Sequence, residues 1–300
     1  MQPDDATLGE IEKHAVELAQ GAGRILGGHF GKTIDVQFKA DDKTDPVSQA
    51  DKESEEYLKS AIKSLFPDHG ILGEEGTDEA QAGSEFLWAL DPLDGTVNFI
   101  NGLPVYSASI GVLHSGEPVV GSIWIPSPGA SDGSVYHARR SHGAYIDGVA
   151  TSIRRNQAPQ PGQLAVMPGL FRRRLLQGAG RQASTGETRV LGSIAYEMAL
   201  TASGVLQYAI FTSPGVWDVA AGVVLVRAAG GAALTYDYRR SRWQDMGPFP
   251  VPGPADADDL KPLRDWRAPV MVGSREMVEH LARVIRPGWF TRLITRLRWG

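Results

Sequence analysis

The most informative segment of the chain is "LWALDPLDGTVNF", residues 87–99. An apolar segment, Phe86–Leu90, has the character of a buried strand, and it runs straight into Asp91, Asp94, Gly95 and Thr96. Carboxylates are costly at the end of a buried strand unless something positive lies beside them. The stretch therefore predicts either a solvated turn or a site that holds cations.

The composition places the chain among ordinary globular proteins. Its 300 residues are enough for one large domain or two packed lobes. The chain has no cysteine, which excludes disulfides, thiolate zinc sites and cysteine nucleophiles. The acidic start carries no apolar signal region, and the longest near-apolar run, residues 219–234, is short for a membrane span and contains Arg227. We expect a cytoplasmic protein.

The net charge of -5 conceals an asymmetry along the chain. Residues 1–100 hold 21 acidic and 8 basic side chains, whereas residues 101–300 hold 14 acidic and 22 basic ones. A clustered acidic field attracts cations rather than the phosphates of nucleic acid. No nucleic-acid partner is expected.

Residue patterns predict a mixture of helices and strands. Thr7 and Glu10 have the spacing of a capping box, and a helix is predicted from there to about Phe30. The other predicted elements are a strand at 34–39, a polar loop at 41–51, a helix from Ser48 or Asp51 to Leu65, strands at 70–75 and 86–91, a hairpin around 115–118, and, beyond 160, strands alternating with helices near 170–177, 193–203, from 218 and from 274.

Acidic residues recur where these predicted elements meet. Asp51 and Asp218 lie at loop-to-helix junctions, whereas Glu75, Asp91 and Asp94 lie at strand ends. Should these junctions share one edge of a sheet, the acids converge into the kind of oxygen-donor set that Mg2+ prefers. The backbone carbonyl of Leu93 is a further candidate ligand. Glu74 is predicted to have a supporting rather than a ligating role.

Gly95 and Thr96 add a second element, because they are predicted to begin a short helix whose free N–H groups attract an anion. Acids that bind metal beside such a helix start suggest a phosphate held between cations and amides. The Thr96 hydroxyl and the Asp51 carboxylate are candidates to orient an attacking water.

Five segments in this order resemble the inositol monophosphatase family, within the wider group of Mg2+-dependent, lithium-sensitive phosphatases that includes fructose bisphosphatases. The resemblance covers roughly residues 8–285. The segments are "DPVSQAD" (45–51), "GEEG" (73–76), "DPLDGTVNF" (91–99), "GAYIDG" (143–148) and "WDVAAG" (217–222).

The resemblance implies a fold, a reaction and residue roles. The fold would be mixed α/β (α+β), a layered α/β/α/β/α sandwich, and the protein a homodimer that hydrolyses a small phosphorylated metabolite with two or three Mg2+ ions. Glu75, Asp91 and the Leu93 carbonyl would hold the first ion, Asp91, Asp94 and Asp218 the second, and Glu75 a weaker third. Gly95 and Thr96 would contact the phosphate, with Thr96 and Asp51 activating water.

One position departs from the pattern of inositol-specific members. They carry an acid seven residues before the aspartate of the WD segment, and here that position is Phe211. A phenyl ring cannot accept hydrogen bonds from sugar hydroxyls as a carboxylate does. A small polyol or sugar phosphate resembling inositol 1-phosphate is expected, with histidinol phosphate, fructose 1,6-bisphosphate and 3'-phosphoadenosine 5'-phosphate as alternatives. The lysine that the family carries upstream of "DPVSQAD" is Lys39 or Lys43.

We predict an N-terminal lobe, 1–155, with most metal ligands, a C-terminal lobe, 156–286, that closes the site, and a tail at 287–300. The tail alternates apolar and arginine residues at helical spacing, which suits weak contact with a membrane surface or docking on the protein itself. A family member that acts only by binding partners is the rival class, although such a protein has no need of the complete acidic set.

Overall fold

The computed structural model describes residues 2–32, 36–38, 46–76, 78, 84–127, 130–169, 171–172, 184–251 and 259–285. The helices within these ranges are α1 Asp5–His29, α2 Gln49–Leu65, α3 Thr96–Ile100, α4 Ile194–Ala202, α5 Val216–Ala228, α6 Lys261–Arg264 and α7 Arg275–Val284. The strands are β1 Val36–Phe38, β2 Pro46–Ser48, β3 Gly70–Gly73, β4 Phe86–Asp94, β5 Ser107–His114, β6 Glu117–Ser127, β7 Ala130–Arg139, β8 Ala144–Ile146, β9 Val149–Thr151, β10 Leu164–Val166, β11 Glu187–Arg189, β12 Tyr208–Phe211, β13 Ala232–Asp237, β14 Arg242–Asp245 and β15 Val270–Gly273.

Two mixed sheets carry most of the described strands. The seven-stranded sheet runs in order from β3 to β9, with β3 parallel to β4 and the remaining neighbours antiparallel. The six-stranded sheet has the order β11-β10-β12-β15-β13-β14. A separate antiparallel pair joins β1 to β2.

Alternation along single strands shows how helices cover both sheets. On β4, Trp88 and Leu90 pack with α1 and α2, whereas Ala89 packs with α4 and α5 on the opposite face. On β12, Ala209 joins that same central cluster, and Ile210 packs with α7 on the outer face. The layers are therefore helix, sheet, helix, sheet, helix, and the predicted α/β/α/β/α sandwich is confirmed.

The two long N-terminal helices form where apolar residues recur at helical spacing. The first begins earlier than predicted, because the Asp4 side chain, rather than that of Thr7, caps it by accepting from the Thr7 N–H at 2.8 Å. The second helix begins directly after Ser48, which agrees with Ser48 rather than Asp51 as the predicted start. Its N-terminal turn carries Asp51, whose carboxylate closes a capping box with Ser48.

Several other predicted segments also differ from the structure. The polar loop at 41–51 contains the short strand β2, and β4 continues three residues past Asp91 to Asp94. Most of the predicted helix near 170–177 and the whole tail at 287–300 lie outside the described residues. The division into two lobes stays a prediction. None of the helices that the structure describes has both the length and the apolar character needed to cross a membrane.

Candidate active site

The end of β4 is shaped by a shift in its pairing with β5. The ladder pairs Asp91 with Ser109 and then Asp94 with Ser107, and the register slips between them. Inside the slip, the Leu93 N–H donates to Asp91 Oδ1 at 3.1 Å. The chain then turns at Gly95, which has a φ of 91°, and enters α3 at Thr96. Both aspartates are buried at this joint, with 2% and 9% of their surface exposed.

Asp94 is held from three directions by hydrogen bonds that meet on Oδ2. The Ser193 hydroxyl donates at 2.7 Å, the Ala195 N–H at 2.6 Å and the Ser107 hydroxyl at 3.2 Å. Burial raises the pKa of Asp94 to about 6. The hydrogen-bond donors oppose this rise, because they favour the ionised carboxylate. The start of α4 therefore fixes the orientation of this carboxylate.

Asp51 and Thr96 meet beside the same joint. The Thr96 hydroxyl is 3.3 Å from Asp51 Oδ1 and 3.0 Å from the Leu93 carbonyl oxygen, and it can donate to either. The other Asp51 oxygen accepts from the Ser48 N–H at 2.8 Å and from the Ser48 hydroxyl. Burial raises the pKa of Asp51 to about 6, although the Ser48 hydrogen bonds oppose the rise. The predicted pair is in contact.

Asp218 enters the site from the first turn of α5. Its Oδ2 accepts from the Gly215 N–H at 2.6 Å, which sets the carboxylate at the start of the helix. The pKa of Asp218 is raised to about 8, chiefly by burial and also by the neighbouring Asp94 and Glu74, whereas Gly215 and Arg267 act against the rise. This aspartate, 124 residues beyond Asp94 in the chain, lies in the field of the β4 carboxylates.

Glu74 also acts on this group, whereas Glu75 was the glutamate predicted as a ligand, and that choice stays a prediction. Burial raises the pKa of Asp91 well above its usual value, and Glu74, Asp94 and Asp218 add to the rise. Glu74 raises the pKa of Asp51 as well. The Glu74 N–H donates to the Leu90 carbonyl at 3.1 Å, which keeps Glu74 level with the end of β4. Glu74 and Glu75 are adjacent in the turn that follows β3, and sequence alone could not choose between them.

This donor set fits a hard divalent cation. Buried carboxylates that raise one another's pKa need positive charge or protons to balance them, and oxygen ligands are those that Mg2+ takes. No group of three or more His, Asp or Glu side chains within the described ranges is arranged to hold a metal ion as it stands. Asp91, Asp94, Asp218 and Glu74 nevertheless act on one another, since the neighbouring carboxylates raise the pKa of Asp91 and of Asp218.

A small recess of about 180 Å3 lies beside Ser193. Its lining is largely apolar and includes Phe211, Val190 and Ile194, with Glu197 and Ser213 as polar members. The Ser213 hydroxyl oxygen is buried and has no hydrogen-bond partner in the part of the chain that the structure describes. Phe211 is 4% exposed, at the end of β12. The recess is therefore suited to the organic part of a ligand.

Three supporting residues escaped the sequence analysis. Ser107 and Ser193 hold Asp94, and Glu197 accepts from the Leu191 N–H at 2.6 Å, with burial raising its pKa to about 7. The only sequence signal was Ser193 as a helix start. Lys39 and Lys43 lie outside the described residues.

Comparison with known proteins identifies the family to which the chain belongs. The model of the inositol monophosphatase family matches residues 7–255. The chain belongs to this family, whose members are metal-dependent phosphoric monoester hydrolases that generally use Mg2+.

Individual relatives carry several names. The chain is 32% identical over 218 residues to a fructose-1,6-bisphosphatase/inositol-1-monophosphatase of Aquifex aeolicus, covering 71% of this chain and 81% of that protein. It is 32% identical over 234 residues to a histidinol-phosphatase of Chlorobaculum parvum, covering 76% and 86%. The crystal structure of the extragenic suppressor protein suhB of Bartonella henselae superposes with a TM-score of 0.71 and 25% identity, covering 90% of this chain and 95% of that one.

Proposed function

We propose that the protein is a Mg2+-dependent phosphomonoesterase of a small polyol or sugar-type phosphate. The observation that carries the proposal is the meeting of Glu74, Asp91, Asp94 and Asp218, from elements far apart in the chain, at the joint that holds Thr96 and Asp51. A protein kept only for binding partners has no physical need of this set.

Glu74, Asp91, Asp94 and Asp218, with the Leu93 carbonyl, would hold two or three Mg2+ ions. When bound, Mg2+ supplies charge neutralisation for phosphate oxygens and makes water a better nucleophile at neutral pH. The Asp94 carboxylate needs little reorganisation for this role, because Ser193, Ala195 and Ser107 already fix it.

Thr96 and Asp51 would handle the attacking water. When the Thr96 hydroxyl donates to Asp51 Oδ1 rather than to the Leu93 carbonyl, the lone pairs of the Thr96 oxygen can accept a hydrogen bond from that water. The proton then passes toward Asp51, whose pKa of about 6 lies close enough to neutrality for general-base work. The backbone at Gly95 and Thr96 would contact the phosphate.

The alcohol of the substrate would lie over the recess beside Ser193. Phe211 lines that recess and offers an apolar surface in place of a carboxylate. We therefore expect inositol 1-phosphate to be a poorer substrate than a phosphate ester of a less hydroxylated alcohol. The different names of the relatives agree with a substrate that varies within the family.

The test is phosphate release from a panel of inositol 1-phosphate, fructose 1,6-bisphosphate, histidinol phosphate, 3'-phosphoadenosine 5'-phosphate and simple alkyl phosphates. Each is measured with Mg2+, with EDTA and with added lithium. We expect turnover that requires Mg2+ and falls with lithium. Asp94→Asn should abolish it, whereas Asp245→Asn, which changes an exposed acid paired with Arg275, should not. Folded wild-type protein that binds Mg2+ but hydrolyses none of the panel would contradict the proposal.

Three further expectations stand beside this function. A homodimer is proposed, and light scattering after gel filtration tests it. Weak contact of the tail at 287–300 with membranes is tested by co-sedimentation with anionic vesicles before and after deletion of the tail. The cytoplasmic location stays a prediction that cell fractionation can check.

A further inference from the structure

Arg264, at the end of α6, reaches back to the segment that follows β3. Its Nε donates to Asp78 Oδ2 at 2.7 Å, and its Nη2 pairs with Asp78 Oδ1. The same guanidinium donates to the Glu74 carbonyl at 3.3 Å and to the Gly73 carbonyl at 2.5 Å. Asp78 in turn accepts from the Gly73 N–H at 3.3 Å. These bonds form a closed network around the backbone that carries Glu74.

The same guanidinium also lies on the residue before Asp218. The Arg264 Cζ is 5.3 Å from the centroid of the Trp217 ring, and the Arg267 Cζ is 5.0 Å from it, both within cation–π range. Trp217 is 6% exposed, and its carbonyl accepts from the Ser109 hydroxyl at 3.2 Å. Arg264 therefore contacts the backbone of Glu74 and the side chain beside Asp218 at once.

These contacts join segments that are distant in the chain. Glu74 follows a strand of the seven-stranded sheet, Asp218 begins a helix between the sheets, and α6 precedes β15 of the six-stranded sheet. A planar guanidinium with donors in a fixed fork suits this task, because it can bind a carboxylate, carbonyls and an aromatic face together.

We propose that Arg264 is a positioning residue that sets the distance between Glu74 and Asp218 and thereby the affinity of the site for Mg2+. The inference rests on the proposed function, in that Glu74 and Asp218 are taken as metal ligands. Arg264 binds the backbone carbonyl of Glu74 and is not itself one of the proposed metal ligands. Partners that orient metal ligands from outside typically change metal affinity by about 10- to 100-fold when they are removed.

The experiment compares Mg2+ binding by the full-length wild type, Arg264→Ala, Arg264→Lys and Asp78→Asn. Binding is measured by calorimetry and by the rise in melting temperature on titration with Mg2+, and the Mg2+ concentration for half-maximal hydrolysis is recorded in parallel. We expect Arg264→Ala to weaken Mg2+ binding about tenfold or more. The rate at saturating Mg2+ should change much less. Arg275→Ala removes an arginine that pairs with the exposed Asp245 and serves as the matched control.

Two conservative variants, Arg264→Lys and Asp78→Asn, keep the experiment informative if Arg264→Ala does not fold. Arg264→Lys keeps the charge but loses the fork, and Asp78→Asn keeps the shape of the partner, so each should weaken Mg2+ binding by a smaller factor. Asp78→Asn should have little further effect when Arg264 is already alanine, because the two residues act as one network.

Equal Mg2+ affinity in folded wild type, Arg264→Ala and Asp78→Asn would overturn the inference, as would a wild type that binds no Mg2+. If the wild type binds Mg2+ but hydrolyses nothing, a loss of binding in Arg264→Ala still supports the positioning role while the enzymatic proposal fails.

Discussion

Gly95 lies between two residues of the site, Asp94 and Thr96, and its φ of 91° places it in the left-handed region. A Cβ atom added there would be 3.0 Å from the Val105 carbonyl oxygen and 3.0 Å from Ser193 Cβ. Two constraints therefore act on this residue, one from the backbone conformation and one from the packing of α4 against β4. Both constraints therefore affect the orientation of Asp94 before the turn and of Thr96 after it.

Gly95→Ala should destabilise the protein by about 2 kcal/mol or more, from left-handed strain of about 1–2 kcal/mol plus the close contacts. Hydrolysis should fall at least tenfold, because small displacements of catalytic groups are costly. Gly102→Ala is the control, since Gly102 has a φ of 74° but nothing lies within 4 Å of its added Cβ. Urea denaturation gives the free energy of unfolding of both variants. An equal loss of unfolding free energy in the two would contradict the role given to packing at Gly95.

At the scale of elements, the approach of α5 to the seven-stranded sheet brings Asp218 toward Asp91. Gly111 of β5 and Gly121 of β6 are paired directly across the ladder. A Cβ on Gly111 would be 2.5 Å from Ala220 Cβ, and one on Gly121 would be 2.3 Å from the Ala221 carbonyl oxygen. The paired glycines therefore form a shallow groove in which the backbone of α5 lies.

Gly121→Ala should cost about 3 kcal/mol, because the added methyl meets helix backbone that has no rotamer with which to move aside. The control is Gly27→Ala in α1, where nothing lies within 4 Å of the new atom. That substitution should be neutral or stabilise the protein by up to about 1 kcal/mol, because alanine favours helices. Urea unfolding compares the two, and a neutral Gly121→Ala would show that the helix does not depend on the groove.

At the scale of the whole molecule, folding concentrates acids that the unfolded chain keeps apart. Burial, together with neighbouring carboxylates, raises the pKa of Asp218 to about 8 and that of Glu197 to about 7. At any pH between the usual carboxyl pKa and these raised pKa values, the folded protein therefore binds more protons than the unfolded chain. Stability must fall as the pH rises through that window. The histidines with lowered pKa, His69 and His114, act in the opposite direction, but only below about pH 6.5.

In EDTA, the melting temperature should therefore decrease between pH 6.5 and pH 8.5, by several degrees. Added Mg2+ should raise it more at pH 8.5 than at pH 6.5, because the ionised carboxylates then need the cation most. Asp218→Asn is the matched variant, and it should flatten the decrease in EDTA. Scanning calorimetry across this range tests the prediction, and a wild-type melting temperature that rises with pH in EDTA would reject it.

The sequence determined on its own the features that depend on local spacing. The run into Asp91 and Asp94, the start of α3 at Thr96 and the capping box that holds Asp51 are set by neighbours a few residues apart. The order of the five motifs was enough to identify the family and hence the layered fold. These features survive folding because hydrogen bonds and helical periodicity within one element do not depend on what packs against it.

The meeting of groups that are distant in the chain depends on how the sheets and helices pack. This packing brought the charge of Glu74 to Asp91, brought Ser193 and Ser107 onto Asp94, and placed Arg264 against the Glu74 backbone and Trp217. A one-residue change of register reverses the direction of a side chain, and no periodicity reports which strand or helix a hydroxyl will face. Contacts between residues about 100 to 190 positions apart are set by how sheets and helices stack, and that packing is a property of the whole chain.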